Sequence, residues 1–378
     1  MASRVNWRPI AIGLCLAALI CAPKIIWETR TKHPLSVLIV DKTVAEPSYR
    51  EHKGLVWGIN HKKVVRPADG KPYDWEHDYF GYFPLPGPPG THKEVPIPSK
   101  PGGYDMVYVA DSYGVYTNDV YRHGLGGLHS RPIYGGLDSK EVATLIANVK
   151  PRGTFVGEFN SFASPTNGAP RQALCDYLGL RWDGWAGRYF NELAPDVEVP
   201  VWLVKGYEQQ YRKNYAFKGP GVAYVNEDGR VAVLAGRGVD VGSNYVRCFT
   251  GPYMRKKLDA GNEVPYGYWF DIVTPRAGVE VLATYNVDAT PQGKTLLASL
   301  GLPLNWPAVM RRAVPGGTTR WYFAGDFADM IELPTRYDLW GIEYLRRLVS
   351  GTADPEGPAF YWNVYFPLLG GLVSDLTH

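Results

Sequence analysis

Histidine is nearly absent from the last two-thirds of this 378-residue chain: seven of eight lie between His33 and His129, and only His378 follows. No two have helix-face metal spacing, and neither a His-Glu-x-x-His nor a Cys-x-x-Cys motif occurs, which excludes a dedicated zinc site. Cysteine is equally scarce. Of four, Cys15 and Cys21 lie in the apolar N-terminal segment, and Cys175 and Cys248 are set in apolar surroundings, where a buried free thiol is the default. Gly124-Leu-Gly-Gly127 lacks the Lys-Ser/Thr of a phosphate loop, and no Gly-x-Ser-x-Gly elbow appears. A net charge of +3 without an Arg/Lys-rich run argues against nucleic acid. No cofactor is expected.

Aromatics are what the chain has in excess. Twelve Trp and 26 Tyr, with 42 Gly and 31 Pro, point to a loop-rich fold with large amphipathic surfaces, available for a core or for an interface.

Arg4 and Arg8 precede an uncharged run, Ile10 to Ala22, which includes Leu14, Leu16 and Leu19. Lys24 interrupts it before Ile25, Ile26 and Trp27. Counted to Trp27, the segment has about the 18 to 20 residues needed to cross the hydrocarbon. The expected architecture is therefore an N-terminal membrane anchor over 1–34, helical from about 9 to 27, with Lys24 snorkelling and Trp27 in the interfacial belt. Ile20-Cys21-Ala22 followed by Pro23 is a poor cleavage site, so the helix should be retained as a single-pass signal anchor. A short basic leader before an apolar run places the N-terminus inside, leaving the body on the periplasmic or extracellular side of the inner membrane.

In the body, Leu35–Val40, Asp105–Ala110 and Thr154–Gly157 read as buried strands ending at Asp41, Asp111 and Glu158. Asp138, with Glu141 three residues later, opens a helix that Pro151 and Gly153 stop, and a second helix runs from Pro170 to Leu178. The unit implies an α/β fold with an open, doubly wound, mostly parallel sheet over 35–200. Residues 60–104 read as a long ordered loop. Region 201–378 is β-rich: a hairpin around Asn226-Glu-Asp-Gly229, strands over Tyr266–Val273 and Val279–Tyr285, and a last strand, Arg320–Gly325, and helix, Tyr337–Val349, completing the body. His52 and His61 fall on a helix after the first strand, as surface or capping residues.

Asp41, Asp111, Glu158 and Asp326 each follow a predicted strand, with Asp329 nearby. At the carboxyl ends of parallel strands such residues line a ligand crevice, where Asp111 and Glu158 are the catalytic candidates. The competing reading is that all of them cap helices and turn backbones.

The segments Asp111-Ser-Tyr-Gly-Val-Tyr116, Gly135-Gly-Leu-Asp138, Phe155-Val-Gly-Glu-Phe159 and Tyr322-Phe-Ala-Gly-Asp326 resemble a class I glutamine amidotransferase-like (flavodoxin-like) domain. The resemblance implies a nucleophilic Cys in an elbow after the third strand, with a His and an acid supplied later. Gly157-Glu158-Phe159 stands at the elbow and no His lies between 130 and 377, so it implies the fold without the activity. The function expected is a membrane-anchored, non-catalytic accessory or scaffolding subunit of a respiratory, photosynthetic or secretory envelope complex, bound to the bilayer through its N-terminal helix and to membrane-protein partners. The alternative is an envelope carbohydrate-active hydrolase or glycan-binding module using the strand-end carboxylates.

Overall fold

A β-branched run such as Val37–Asp41 can lie in a sheet covered on both faces, and every residue of it is buried. In the computed structural model, which describes residues 21–121, 130–195, 197–242, 245–351 and 355–377, this strand belongs to a sheet of ten. From one edge the order is Glu263–Tyr266, Val246–Thr250, Glu280–Asn286, Asn305–Arg312, Thr319–Phe323, Val149–Gly157, Tyr104–Asp111, Val37–Asp41, Phe80–Pro84 and His92–Val95. The five strands from Thr319–Phe323 to Phe80–Pro84 are mutually parallel. The other pairings are antiparallel. A second, four-stranded sheet, Val231–Ala235, Gly221–Asn226, Leu180–Phe190 and Phe270–Pro275, is antiparallel throughout.

The expected open, doubly wound, mostly parallel sheet is thus corrected to a mixed sheet joined to an antiparallel one. Phe270 of the second sheet packs 4.9 Å from the Trp306 ring of the first, so the two share a core. The single strand expected over Tyr266–Val273 is two strands, one in each sheet. Residues 60–104 are not one loop: they carry the strands Val64–Val65, Phe80–Pro84 and His92–Val95. Other readings match closely. The helix Ser139–Asn148 begins with an Asp138–Glu141 capping box, and Ala169–Leu178 ends at a left-handed Gly179.

The anchor does not stand as expected. Among the described residues no helix is long and apolar enough to cross a membrane. Ile10, Leu14, Leu16 and Leu19 lie outside the described residues. Lys24 and Trp27, assigned to the headgroup layer, are committed to the protein. Trp27 is 8% exposed, donates Nε1–H to the His61 carbonyl at 2.9 Å and packs edge-on against Tyr337. Lys24 pairs with Glu28 and Asp338, and Trp340 N–H donates to the Pro23 carbonyl.

The helix Arg50–His61 is buried along nearly its whole length. Gly54 N–H donates to the Ala328 carbonyl, and Met330 N–H to the Arg50 carbonyl, each at 3.0 Å. The first turn and the loop after the last parallel strand are spliced together. A Cβ at Gly54 would stand 2.5 Å from the Ala328 oxygen, so the splice requires glycine. At the far end, a π-helical turn, Tyr361–Tyr365, leads into the helix Phe366–Thr377. Tyr361 donates to the Gly54 carbonyl at 2.8 Å, and Leu369 fills the space over Gly58. The aromatic C-terminal run packs on its own body.

Candidate functional site

Parallel strands bring their carboxyl ends to one edge, and this sheet does so with its acids. Asp41 and Asp111 are register partners on adjacent strands. Val109 is paired with Gly157, which sets Glu158 one strand further on. Neighbouring strands lie about 5 Å apart. The loop 325–330 then carries Asp326 and Asp329 over the same edge, where each carboxyl feels its neighbours' charge.

Three of the five are engaged structurally. Asp41 accepts Thr43 N–H at 2.9 Å on one oxygen and faces His52 Nδ1 at 2.6 Å with the other. His52 Nε2 meets the Trp75 carbonyl at 2.7 Å. A carbonyl only accepts, so Nε2 carries a proton and a second is shared with Asp41. Asp111 accepts Tyr113 N–H at 2.6 Å and Asn160 Nδ2–H at 3.2 Å. Burial, then the charge of Asp41, pushes its carboxyl up to about 7 against those donors. Glu158 accepts the main-chain N–H groups of Phe327 and Ala328 on Oε1, at 2.5 and 2.8 Å, and the Tyr108 hydroxyl on Oε2 at 3.0 Å. Burial still holds its carboxyl well above the usual range. It clamps the loop 325–330 to the sheet.

Beyond this clamp lies a group that the sequence reading passed over. Glu51, in the first turn of Arg50–His61, joins Asp326 and Asp329 around the Arg50 guanidinium. Arg50 Nε lies 3.3 Å from both Glu51 Oε1 and Asp329 Oδ2. Burial alone would lower Arg50, yet Asp329, Tyr268, Glu51 and Asp326 together hold it above its ordinary value. Glu51 is raised by burial and by the charges of Asp41 and Asp329, and Asp326 by burial and Asp329. Glu51 Oε2 and Asp326 Oδ1 are buried oxygens without a hydrogen-bonding partner among the described protein atoms, whereas Asp329 Oδ2 is held by the Arg50 guanidinium. Buried acceptors of this kind call for donors.

A signal for Glu51 was present, since Arg50-Glu51 opens the first helix after the first strand, where such crevices lie. The histidines were misjudged: His52 and His61 are fully buried, not at the surface. Among the described residues, no three His, Cys, Asp or Glu side chains are disposed to hold a metal ion. Cys175 and Cys248 are buried free thiols, raised by burial. No protein-family model matches the chain, and a search of curated proteins finds no significant relative.

Proposed function

We propose that this protein is a non-catalytic α/β subunit with an accessory or scaffolding role in a cell-envelope assembly. The observation that carries the reading is the engagement of Asp111 and Glu158. Each oxygen of both carboxyls already accepts a hydrogen bond from the protein, and neither residue is more than 3% exposed. A general acid or base must come within hydrogen-bond reach of substrate. The envelope assignment draws on the sequence, where Arg4 and Arg8 before Ile10–Ala22 have the form of an export signal. The test is purification of the full chain from its native envelope in mild detergent. A partner recovered in near-equal amount supports the role; recovery of the chain alone at every detergent strength overturns it.

The unpartnered oxygens of Glu51 and Asp326, with Asp329 beside them, favour a second reading, a glycan-binding or glycan-hydrolysing crevice in which sugar hydroxyls supply the donors. Loss of polysaccharide binding or turnover in Asp326→Asn and Asp329→Asn, with unfolding unchanged, would establish it in place of the first.

A further inference from the structure

Soluble helices bury their apolar stripe, and Ile342–Val349 does the reverse. Its one buried residue is Glu343, which lies 3.3 Å from His61, while Leu345, Leu348 and Val349 are 58%, 84% and 61% exposed. Tyr344 and Trp340 are exposed beside them, and the adjoining helical stretch 21–29 adds exposed Ile25 and Ile26. Single exposed apolar residues need no explanation, but two turns of helix presenting their leucines to solvent do.

Tyr344 is shared between this face and a groove of about 580 Å³ walled by Ile342–Val349, Pro252–Leu258 and Phe366–Thr377. Four cations line it, Arg30, Lys62, Lys257 and Arg347, against three carboxylates, Asp259, Glu343 and Asp375. Arg347 is matched by Asp259 at 2.7 Å. Lys62 has no carboxylate within ion-pair distance among the described residues; its ammonium stands 4.4 Å over the Phe366 ring. Burial, aided by Arg30 and Arg347 and opposed by Glu343, lowers it to about 8, so it remains mostly charged at neutral pH. Arg346 adds another exposed cation on the helix.

An apolar face of Leu, Val, Tyr and Trp beside Arg30, Lys62 and Arg346, none of them in an ion pair among the described residues, has the composition of a segment lying in a bilayer interface. We propose that this face docks peripherally on an anionic bilayer, with Leu345, Leu348 and Val349 entering the acyl boundary and Lys62 and Arg30 meeting headgroup phosphates. The contact lies in the plane of the surface and spans nothing. The inference is independent of the accessory-subunit reading, because vesicle binding and partner recovery are separate measurements.

The test is cosedimentation of the full chain with vesicles of phosphatidylcholine alone, and with about one-third phosphatidylglycerol. Wild type should bind the anionic vesicles preferentially. The double variant Leu345→Glu/Leu348→Glu, at positions too exposed to support the fold, should lose about tenfold or more in affinity. Arg30→Gln and Lys62→Gln should lose severalfold and show a weaker salt dependence. Equal binding of wild type and double variant overturns the proposal, as does wild-type indifference to lipid charge. It is also overturned if inorganic phosphate stabilises the chain while vesicles do not bind, which would make the groove a soluble-anion site. A dimer in sedimentation velocity that Leu348→Glu dissociates, without vesicle binding, would assign the face to a second copy.

Discussion

His52 and Asp41 face each other at 2.6 Å with no solvent exposure on either side chain. The pair ties the first parallel strand to the helix that follows it, and through Trp75 to the segment beyond. His52→Ala would leave the Asp41 carboxyl buried and without its partner, at a cost of about 3 to 5 kcal/mol. Urea unfolding should show the loss as a lower midpoint with an unchanged slope.

Glu158 separates shape from charge. Glu158→Ala strands two main-chain N–H groups and leaves the Tyr108 hydroxyl only Tyr365, at 2.8 Å, and should cost about 3 kcal/mol or more. Glu158→Gln keeps one carbonyl oxygen for Phe327 and Ala328, so its loss should be under half of that. Equal losses in the two variants would mean that the ionised carboxylate, and not its acceptor geometry, holds the loop.

Asp271 sets a pH dependence. It is fully buried, accepts the Tyr322 hydroxyl and Trp182 Nε1–H, and is pushed up by burial from an ordinary 3.8 to about 7. Asp111 is raised to a similar value. A raised carboxyl binds its proton in the folded state first, so its contribution is complete below about pH 4 and is lost as pH rises through about 7. Stability should fall by about 2 to 3 kcal/mol per group between pH 5 and 8. Thermal melts across that range should show the decline, and Asp271→Asn should flatten part of it.

Gly81 pairs with Asp41 across the edge of the parallel set, at φ +139°. A Cβ there would stand 1.8 Å from the Asp41 carbonyl oxygen. Gly81→Ala should therefore detach Phe80–Pro84 from its neighbour, with a loss above about 3 kcal/mol and faster amide exchange in Val37–Asp41.

The strands Val37–Asp41 and Tyr104–Asp111 and the capped helix at Asp138 were legible because each is a local pattern: an apolar run, an acid at its end, a capping box. The antiparallel flanks were not, because Val246–Thr250 and Asn305–Arg312 acquire their places only through partners distant in sequence. The acids Asp41, Asp111 and Glu158 were found from their positions after strands, yet their engagement by Tyr113, Asn160, Phe327 and Ala328 could not be read without the turns. Glu51 was missed because its neighbours Asp326 and Asp329 lie some 275 residues away. Trp27 and Lys24 show the converse hazard. A Trp and a Lys flanking an apolar run fit a membrane interface, and fit a protein surface patched by His61 and Asp338 equally well.

The strand Thr319–Phe323 lies between Val149–Gly157 and Asn305–Arg312, and the last helix seals the one that begins at Arg50. Synthesis must therefore pass Phe323 before the centre of this sheet can close. Until then Val149–Gly157 has an unpaired edge beside strongly apolar neighbours, a template for pairing with another nascent copy. Expression of chains truncated near residue 300 should yield aggregates instead of a smaller soluble body. A cell making this protein would need to shield that edge throughout its synthesis.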